Sequence, residues 1–248
     1  MEEEARYVRD RMIDVEDSPL TGALRRTRGK IGSVPVELVV SGIGGVYASQ
    51  STTAALLERK PIAILSCGCS GAHVPELKMG DVVLASEVKP LDAVVLERGG
   101  KVRRTGVRRS MQDEQVVSWR ADEKLLAMAQ IAAADVVKSR AASGVEMRFL
   151  TGCVGSSDAW RQAPAIIEQI HKDAKTLCEE MEAGAVAQVA NSFGVPFLAI
   201  KDIANNELNP EPLQLEPEHT VESECAGVQL GLAAAEVTIG VIAQCAAA

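Results

Sequence analysis

The stretch Glu179–Asn205, EEMEAGAVAQVANSFGVPFLAIKDIAN, reads as a helix, a tight turn and a strand in immediate succession. Residues 181–193 have helical length and small apolar side chains, Gly194-Val195-Pro196 stops them, and an apolar run follows over 197–204. A helix handing over to an apolar strand through so short a turn is the repeating joint of an α/β fold. Three carboxylates, Glu179, Glu180 and Glu182, crowd the start of that helix with Met181 among them. Taken alone, the cluster is favourable charge at a helix N-terminus.

Outward from this joint the alternation recurs. Strands are expected at 36–43, 62–68, 81–88 and 147–155, and helices at 46–59, 121–139, 161–171 and 222–244. Such alternation predicts right-handed crossovers and a largely parallel sheet, with ligands at the carboxyl ends of its strands. Four of those ends are rich in Gly, Ser or amides: Ser41–Gly45, Ser66–Gly71, Gly155–Trp160 and Ala204–Glu207. Glycines there let the backbone approach a ligand and leave N–H groups to bind it. No repeat or linker divides the chain, so residues 1–248 are expected to form a single domain, with 206–221 as a long loop.

Composition agrees with the α/β class. Hydrophobic residues make up 47% of the 248 but aromatics only 3%, so the core must be built from Ala, Val, Ile and Leu. A net charge of −8 disfavours nucleic acid and anionic membrane as partners. A basic run, Arg98, Lys101, Arg103, Arg104, Arg108 and Arg109, reads as a solvated surface loop, with an anion or RNA contact as its other reading. The six cysteines have neither C-x-x-C pairing nor zinc spacing, so no disulfide framework or metal site is predicted and they read as small buried hydrophobes. The acidic N-terminus lacks an apolar signal core, and a cytoplasmic location is expected. Residues 225–248 are long and apolar but carry Gln229, Glu236 and Gln244, which suits a packed helix rather than a membrane span.

The segments MEEEARYVRD (1–10), SGIGGVYAS (41–49), SCGCSGA (66–72), LKMGDVVLASEV (77–88), GSSDAW (155–160) and the opening stretch together resemble the nucleoside phosphorylase/nucleosidase superfamily. Within it the similarity is to the 5′-methylthioadenosine/S-adenosylhomocysteine nucleosidase branch, over nearly the whole chain. The resemblance implies a three-layer α/β fold around a twisted mixed sheet partly closed into a barrel. It implies assembly as a homodimer, or as a hexamer like many phosphorylases. The implied reaction is cleavage of the N-glycosidic bond of a purine nucleoside, with no cofactor or metal.

Carried onto this chain, the resemblance makes Glu182 the acceptor of the ribose 2′- and 3′-hydroxyls, with Met181 beneath the sugar and Glu180 beside it. Trp160 stacks on the purine while the backbone of Asp158 to Arg161 reads its edge. Glu4 is the base that activates the attacking water. Cys69, Ser70 and Gly71 line the pocket for the nucleophile, Ile43 joins the substrate-binding set, and Lys201 keeps a cation nearby. Glu179 is left as a solvated charge at the helix start.

Three departures from the family pattern bear on function. The general acid, an aspartate in the nucleosidases, is replaced by Asn205, whose amide donates a hydrogen bond but not a proton. Asp202 lies three residues away, on the opposite face of a strand. Where phosphorylases carry an arginine in the glycine-rich turn this chain has Ser66, which favours water over phosphate as nucleophile. The family's first strand precedes the MEEE segment, so an open sheet edge and a frayed Glu4 are expected here. The leading reading is hydrolysis. Phosphorolysis, and nucleoside binding or storage without catalysis, are the alternatives.

Overall fold

The computed structural model describes residues 1–209 and 229–246. Five strands close into a ring: β4 (Ile64–Ala72), β10 (Thr176–Glu180), β9 (Phe149–Ser156), β5 (Val82–Pro90) and β11 (Phe197–Asn205) pair in that order, and β11 returns to β4. The mixed sheet partly closed into a barrel is thus observed. β8 (Trp119–Arg120) extends the edge of β5, while β1 (Ile13–Thr21), β2 (Leu24–Ile31) and β3 (Val34–Val40) form a separate antiparallel sheet.

A largely parallel sheet was expected, and the ring is mixed: β4 with β10 and β5 with β11 are antiparallel. The reason lies in connection length. Residues 73–81 between β4 and β5 are fewer than the dozen or so that a parallel crossover requires. β5 therefore runs opposite to β4.

Helices cover the ring on two sides. α2 (Gly45–Glu58) and α5 (Ala183–Phe193) bury Ala48, Ala183, Val186, Ala187 and Ala190 against Val83, Ala85, Ala199 and Ile203. α3 (Glu123–Ala142) and α6 (Leu232–Cys245) bury Leu125, Ala129, Ala233 and Val237 against Val82, Leu84, Leu198 and Ile200. Alternate residues of β5 and β11 thus feed opposite layers, which is why these strands read as unbroken apolar runs. Small side chains let the helices come close: a Cβ on Gly240 of α6 would lie 2.7 Å from the Ala132 Cβ of α3. α1 (Glu2–Arg9) and α4 (Pro164–Ala174) complete the set, and α4 begins at Pro164, which suits a first helical position.

Residues 222–228 of the last expected helix, 210–221 of the expected loop, and Cys225 lie outside the described residues. No helix among the described residues is long and apolar enough to cross a membrane. Residues 94–104 of the basic run's surroundings form a hairpin, β6 (Val94–Leu96) with β7 (Val102–Arg104), rather than the expected loop, and Arg103 is paired with Glu97. Cys153 and Cys178 are buried, and desolvation pushes their thiols up to about 12, as befits small hydrophobes. Cys67, Cys69 and Cys245 are only partly buried.

Asp202 anchors α6: its carboxylate accepts from the N–H groups of Gly231 (3.1 Å), Ala233 (3.2 Å) and Ala234 (3.5 Å). Burial outweighs those amides and lifts its pKa from 3.8 to about 7. An acid raised on folding stabilises the fold fully below its unfolded pKa, and that contribution disappears as pH rises through the folded value. Wild type should therefore lose stability relative to Asp202→Asn between 3.8 and about 7. Urea unfolding of both proteins across that range checks this; stability differences that do not change with pH would refute it.

Candidate active site

The carboxyl ends of β4, β9, β10 and β11 converge. Gly71 of β4 lies opposite Glu179 of β10 and also opposite Asn205 of β11, while Glu180 is paired with Ser156 of β9. A cavity of about 880 Å³ is lined by the ends of β4, β10 and β11, by Ala159–Arg161 beyond the end of β9, by β3 and by α1.

Glu4 does not lie on a frayed terminus. α1 holds it, because Val8 at the helix end and Met12 just beyond pack with Ile31, Ala235 and Ile242. The Glu4 carboxylate faces the glycine-rich end of β4, where Oε1 accepts the Cys69 N–H at 2.8 Å and Oε2 meets the Met1 ammonium. Gly68 makes the approach possible: a Cβ there would stand 2.9 Å from Glu4 Oε1. Burial disfavours the charge on Glu4, but the ammonium and the Cys69 amide outweigh it and hold the pKa below the ordinary value. Desolvation and then the Glu4 charge push the Cys69 thiol well above its usual range, so it stays protonated.

Glu182 stands at the N-cap of α5, and its Oε1 accepts the Gly44 N–H at 2.8 Å. Burial raises its pKa, opposed mainly by the Lys201 charge. Met181 sits beside it on the cavity wall. Glu180 is buried and committed: it accepts from the N–H groups of Glu182 (3.1 Å) and Ala183 (2.8 Å) and pairs with Lys201 at 3.0 Å. Burial opposes the charge on Lys201, yet Glu180 and Glu182 outweigh it and raise the ammonium pKa.

Glu179 corrects the sequence reading. It is not a solvated helix-start charge but a buried residue of β10, ion-paired with Arg161, which also donates to Ser157 Oγ at 2.9 Å. A strand with two consecutive acids gives no local strand signal; their cations come from elsewhere in the fold. Behind Glu179 lies buried His73, whose Nδ1 is 2.7 Å from Thr176 Oγ1 and whose Nε2 is 3.4 Å from the Glu179 carboxylate.

Asn205 lines the same cavity, at the end of β11. Its Nδ2 donates to Glu207 Oε1 at 3.0 Å, and a Cβ on Gly71 would lie 3.3 Å from its Oδ1. Trp160 (51% exposed) and Ile43 (56%) form the rim, so Trp160 is a wall residue rather than a core one. Arg161 lines the cavity with its guanidinium turned to Glu179. Two side chains of the expected set are engaged within the fold. Asp158 is absent from the cavity lining and accepts the Gly45 N–H at 2.7 Å, holding the start of α2. Ser70 turns its hydroxyl to the Asp202 carbonyl at 3.1 Å. The sequence reading missed His73 and Glu207 as neighbours of the site; Glu207 stood within the amide-rich strand end Ala204–Glu207, whereas nothing local marked His73.

Comparison with known proteins bears on the family and the fold. Residues 1–235 match the family model described as the phosphorylase superfamily. A 5′-methylthioadenosine/S-adenosylhomocysteine nucleosidase of Geobacillus thermodenitrificans is 34% identical over 216 residues, covering 84% of each chain. Two solved structures share the fold. One is a nucleosidase of the same name from Neisseria meningitidis in complex with methylthio-immucillin-A, with a TM-score of 0.77 and 21% identity over 98% of this chain and 96% of that one. The other is the futalosine hydrolase of Helicobacter pylori, with a TM-score of 0.76 and 21% identity over 98% and 94%. With the five-stranded ring, its cavity at the strand ends and a family match over nearly its full length, the chain belongs to the phosphorylase superfamily.

Proposed function

We propose that this protein hydrolyses the N-glycosidic bond of a purine nucleoside of the 5′-methylthioadenosine or S-adenosylhomocysteine type, with water as nucleophile. The observation that carries the reading is Glu4, an ionised carboxylate on the same cavity as Glu182 and Asn205. The name of the Geobacillus relative supports the substrate class.

In this reading Glu182 accepts the two ribose hydroxyls, Trp160 and Ile43 cover the ligand at the rim, and Asn205 faces N7 of the purine. The C1′–N9 bond breaks with its electron pair leaving on the purine, and the sugar becomes oxocarbenium-like. Water adds to C1′ and gives one proton to Glu4. The purine anion, held by the Asn205 N–H, takes up a proton from solvent, and Glu4 returns its proton to solvent. Preorganised groups aimed at charge that develops only during bond cleavage accelerate the reaction rather than merely binding the substrate.

Water is favoured over phosphate by the charges of the site. Glu4, Glu180 and Glu182 face one buried ammonium, Lys201, which already pairs with Glu180 at 3.0 Å. A phosphate dianion beside Lys201 would meet these carboxylates, and the ammonium it would need is already committed to Glu180. Base release from methylthioadenosine, measured with and without phosphate, tests this; strict dependence on phosphate removes the hydrolase reading.

Asn205 favours a second reading, nucleoside binding without turnover, because an amide does not act as a proton-donating acid. Asn205→Asp separates the two. For a hydrolase, restoring a carboxyl group should raise kcat by roughly tenfold or more, within the range general acids supply. Tight binding of methylthioadenosine by calorimetry, with no base release from either form, would establish the binder instead.

A further inference from the structure

Asn205 reaches its place through an irregularity. β11 and β4 run in regular register until Ile203 opposite Ser70, which would put Ala204 opposite Gly71. A bulge intervenes, and Asn205 opposes Gly71 instead. Bulges at strand ends re-aim side chains beside functional sites. Gly71 leaves the Asn205 amide room that a side chain would take, with 3.3 Å from a Cβ position to Oδ1 and 3.5 Å to Nδ2.

An amide in that position has two ends, and only its nitrogen end can donate to N7. Glu207 selects that end. Its carboxylate only accepts hydrogen bonds, so the group it receives at 3.0 Å is the Asn205 Nδ2. Among the described residues no other side-chain hydrogen bond reaches the Asn205 amide. The backbone that carries Glu207 is anchored by the preceding residue, buried Asn206, which donates to the carbonyls of Val74 (2.9 Å) and Leu77 (2.7 Å) and accepts from Leu208 N–H (3.0 Å). Both Asn205 and Glu207 line the cavity.

We infer that Glu207 is the positioning residue for leaving-group stabilisation: it takes one N–H of the Asn205 amide and thereby holds the other for N7 of the departing purine. The inference rests on the hydrolase reading above. In this way an asparagine, unable to give up a proton, stabilises the negative charge that accumulates on the purine.

The test compares two leaving groups. Methylthioadenosine requires a donor at N7; the 4-nitrophenyl 5-methylthioriboside does not, because nitrophenoxide departs as a stable anion. Initial rates are measured on both for wild type, Glu207→Ala and Glu207→Gln, with circular dichroism melts as a folding control. For Glu207→Ala, kcat on methylthioadenosine should fall roughly ten- to a hundredfold, the usual scale for a lost hydrogen bond to a charged group, with KM little changed. The rate on the nitrophenyl riboside should stay within about twofold, as expected when the lost interaction is confined to N7. Glu207→Gln keeps an acceptor but can also turn its own NH2 to Asn205 Oδ1, so it no longer selects one end of the amide; it should fall between, and it carries the same comparison if the alanine variant melts early. Equal losses on both substrates, or none on methylthioadenosine, would overturn the role of Glu207 while leaving hydrolysis intact. A wild type that releases neither adenine from methylthioadenosine nor nitrophenoxide from the riboside would overturn the hydrolase reading and this role with it.

Discussion

Glu4→Gln lowers kcat on methylthioadenosine by about 10² to 10⁴, the range spanned by general bases, and leaves KM within a few-fold. Glutamine has the shape of glutamate, and its carbonyl oxygen can still accept the Cys69 N–H that Glu4 takes at 2.8 Å. It fails as an acceptor of the proton released by the attacking water, and the exposed ion pair with the Met1 ammonium is lost with the charge. The fold should be unaffected, since α1 is held by Val8, with Met12 beside it, rather than by Glu4. Steady-state rates with a thermal melt separate the two effects. A variant that turns over like wild type would remove Glu4 from the mechanism.

Lys201→Met destabilises the protein by about 3–5 kcal/mol, the usual cost of breaking a buried ion pair from one side. Lys201 and Glu180 are 3% and 2% exposed, and their 3.0 Å contact crosses from β11 to the end of β10. Methionine fills the volume of the lysine stem and leaves the Glu180 carboxylate without its cation. For a chain of this size the midpoint of thermal unfolding should fall by about 10 °C. Adding Glu180→Gln to Lys201→Met should recover part of the loss, because the neutral amide no longer needs a cation; that non-additivity identifies the pair as the cause. Thermal melts of the two single variants and the double variant measure it, and simply additive losses would contradict the explanation.

The strand β11 and the helix α5 were legible because their signals are local. The apolar run Phe197–Ile200 is buried on both faces, and Gly194 closes α5 in the left-handed conformation with φ of 61°. β10 was not legible. Thr176–Glu180 ends in two acids that disfavour a strand until Arg161 and Lys201 neutralise them, and neither cation is near in sequence. The hairpin of β1 and β2 was missed for a similar reason: its charged residues pair across strands, as Asp14 does with Lys30 and Glu37 of β3 with Arg28.

The site divides along the same line. Motif resemblance marked Glu4, Glu182, Trp160 and Asn205, and the structure brings all four to one cavity. It also turned Asp158 to the start of α2 and Ser70 to the Asp202 carbonyl, choices that depend on which backbone group lies nearest in space.

By itself the sequence determined the α/β alternation, the helix and strand that meet at Gly194, and the acids and amide available for chemistry. These follow from period, turn residues and side-chain type, which act over a few neighbouring positions. Only the tertiary structure decided that Glu4 meets Cys69, that β11 bulges before Asn205 and that Glu207 holds the Asn205 amide. The first two depend on the register of segments far apart in the chain, and the third on where the bulge leaves the end of β11. That register is set by the sum of packing, charge pairing and hydrogen bonding across the closed ring, which no local pattern encodes.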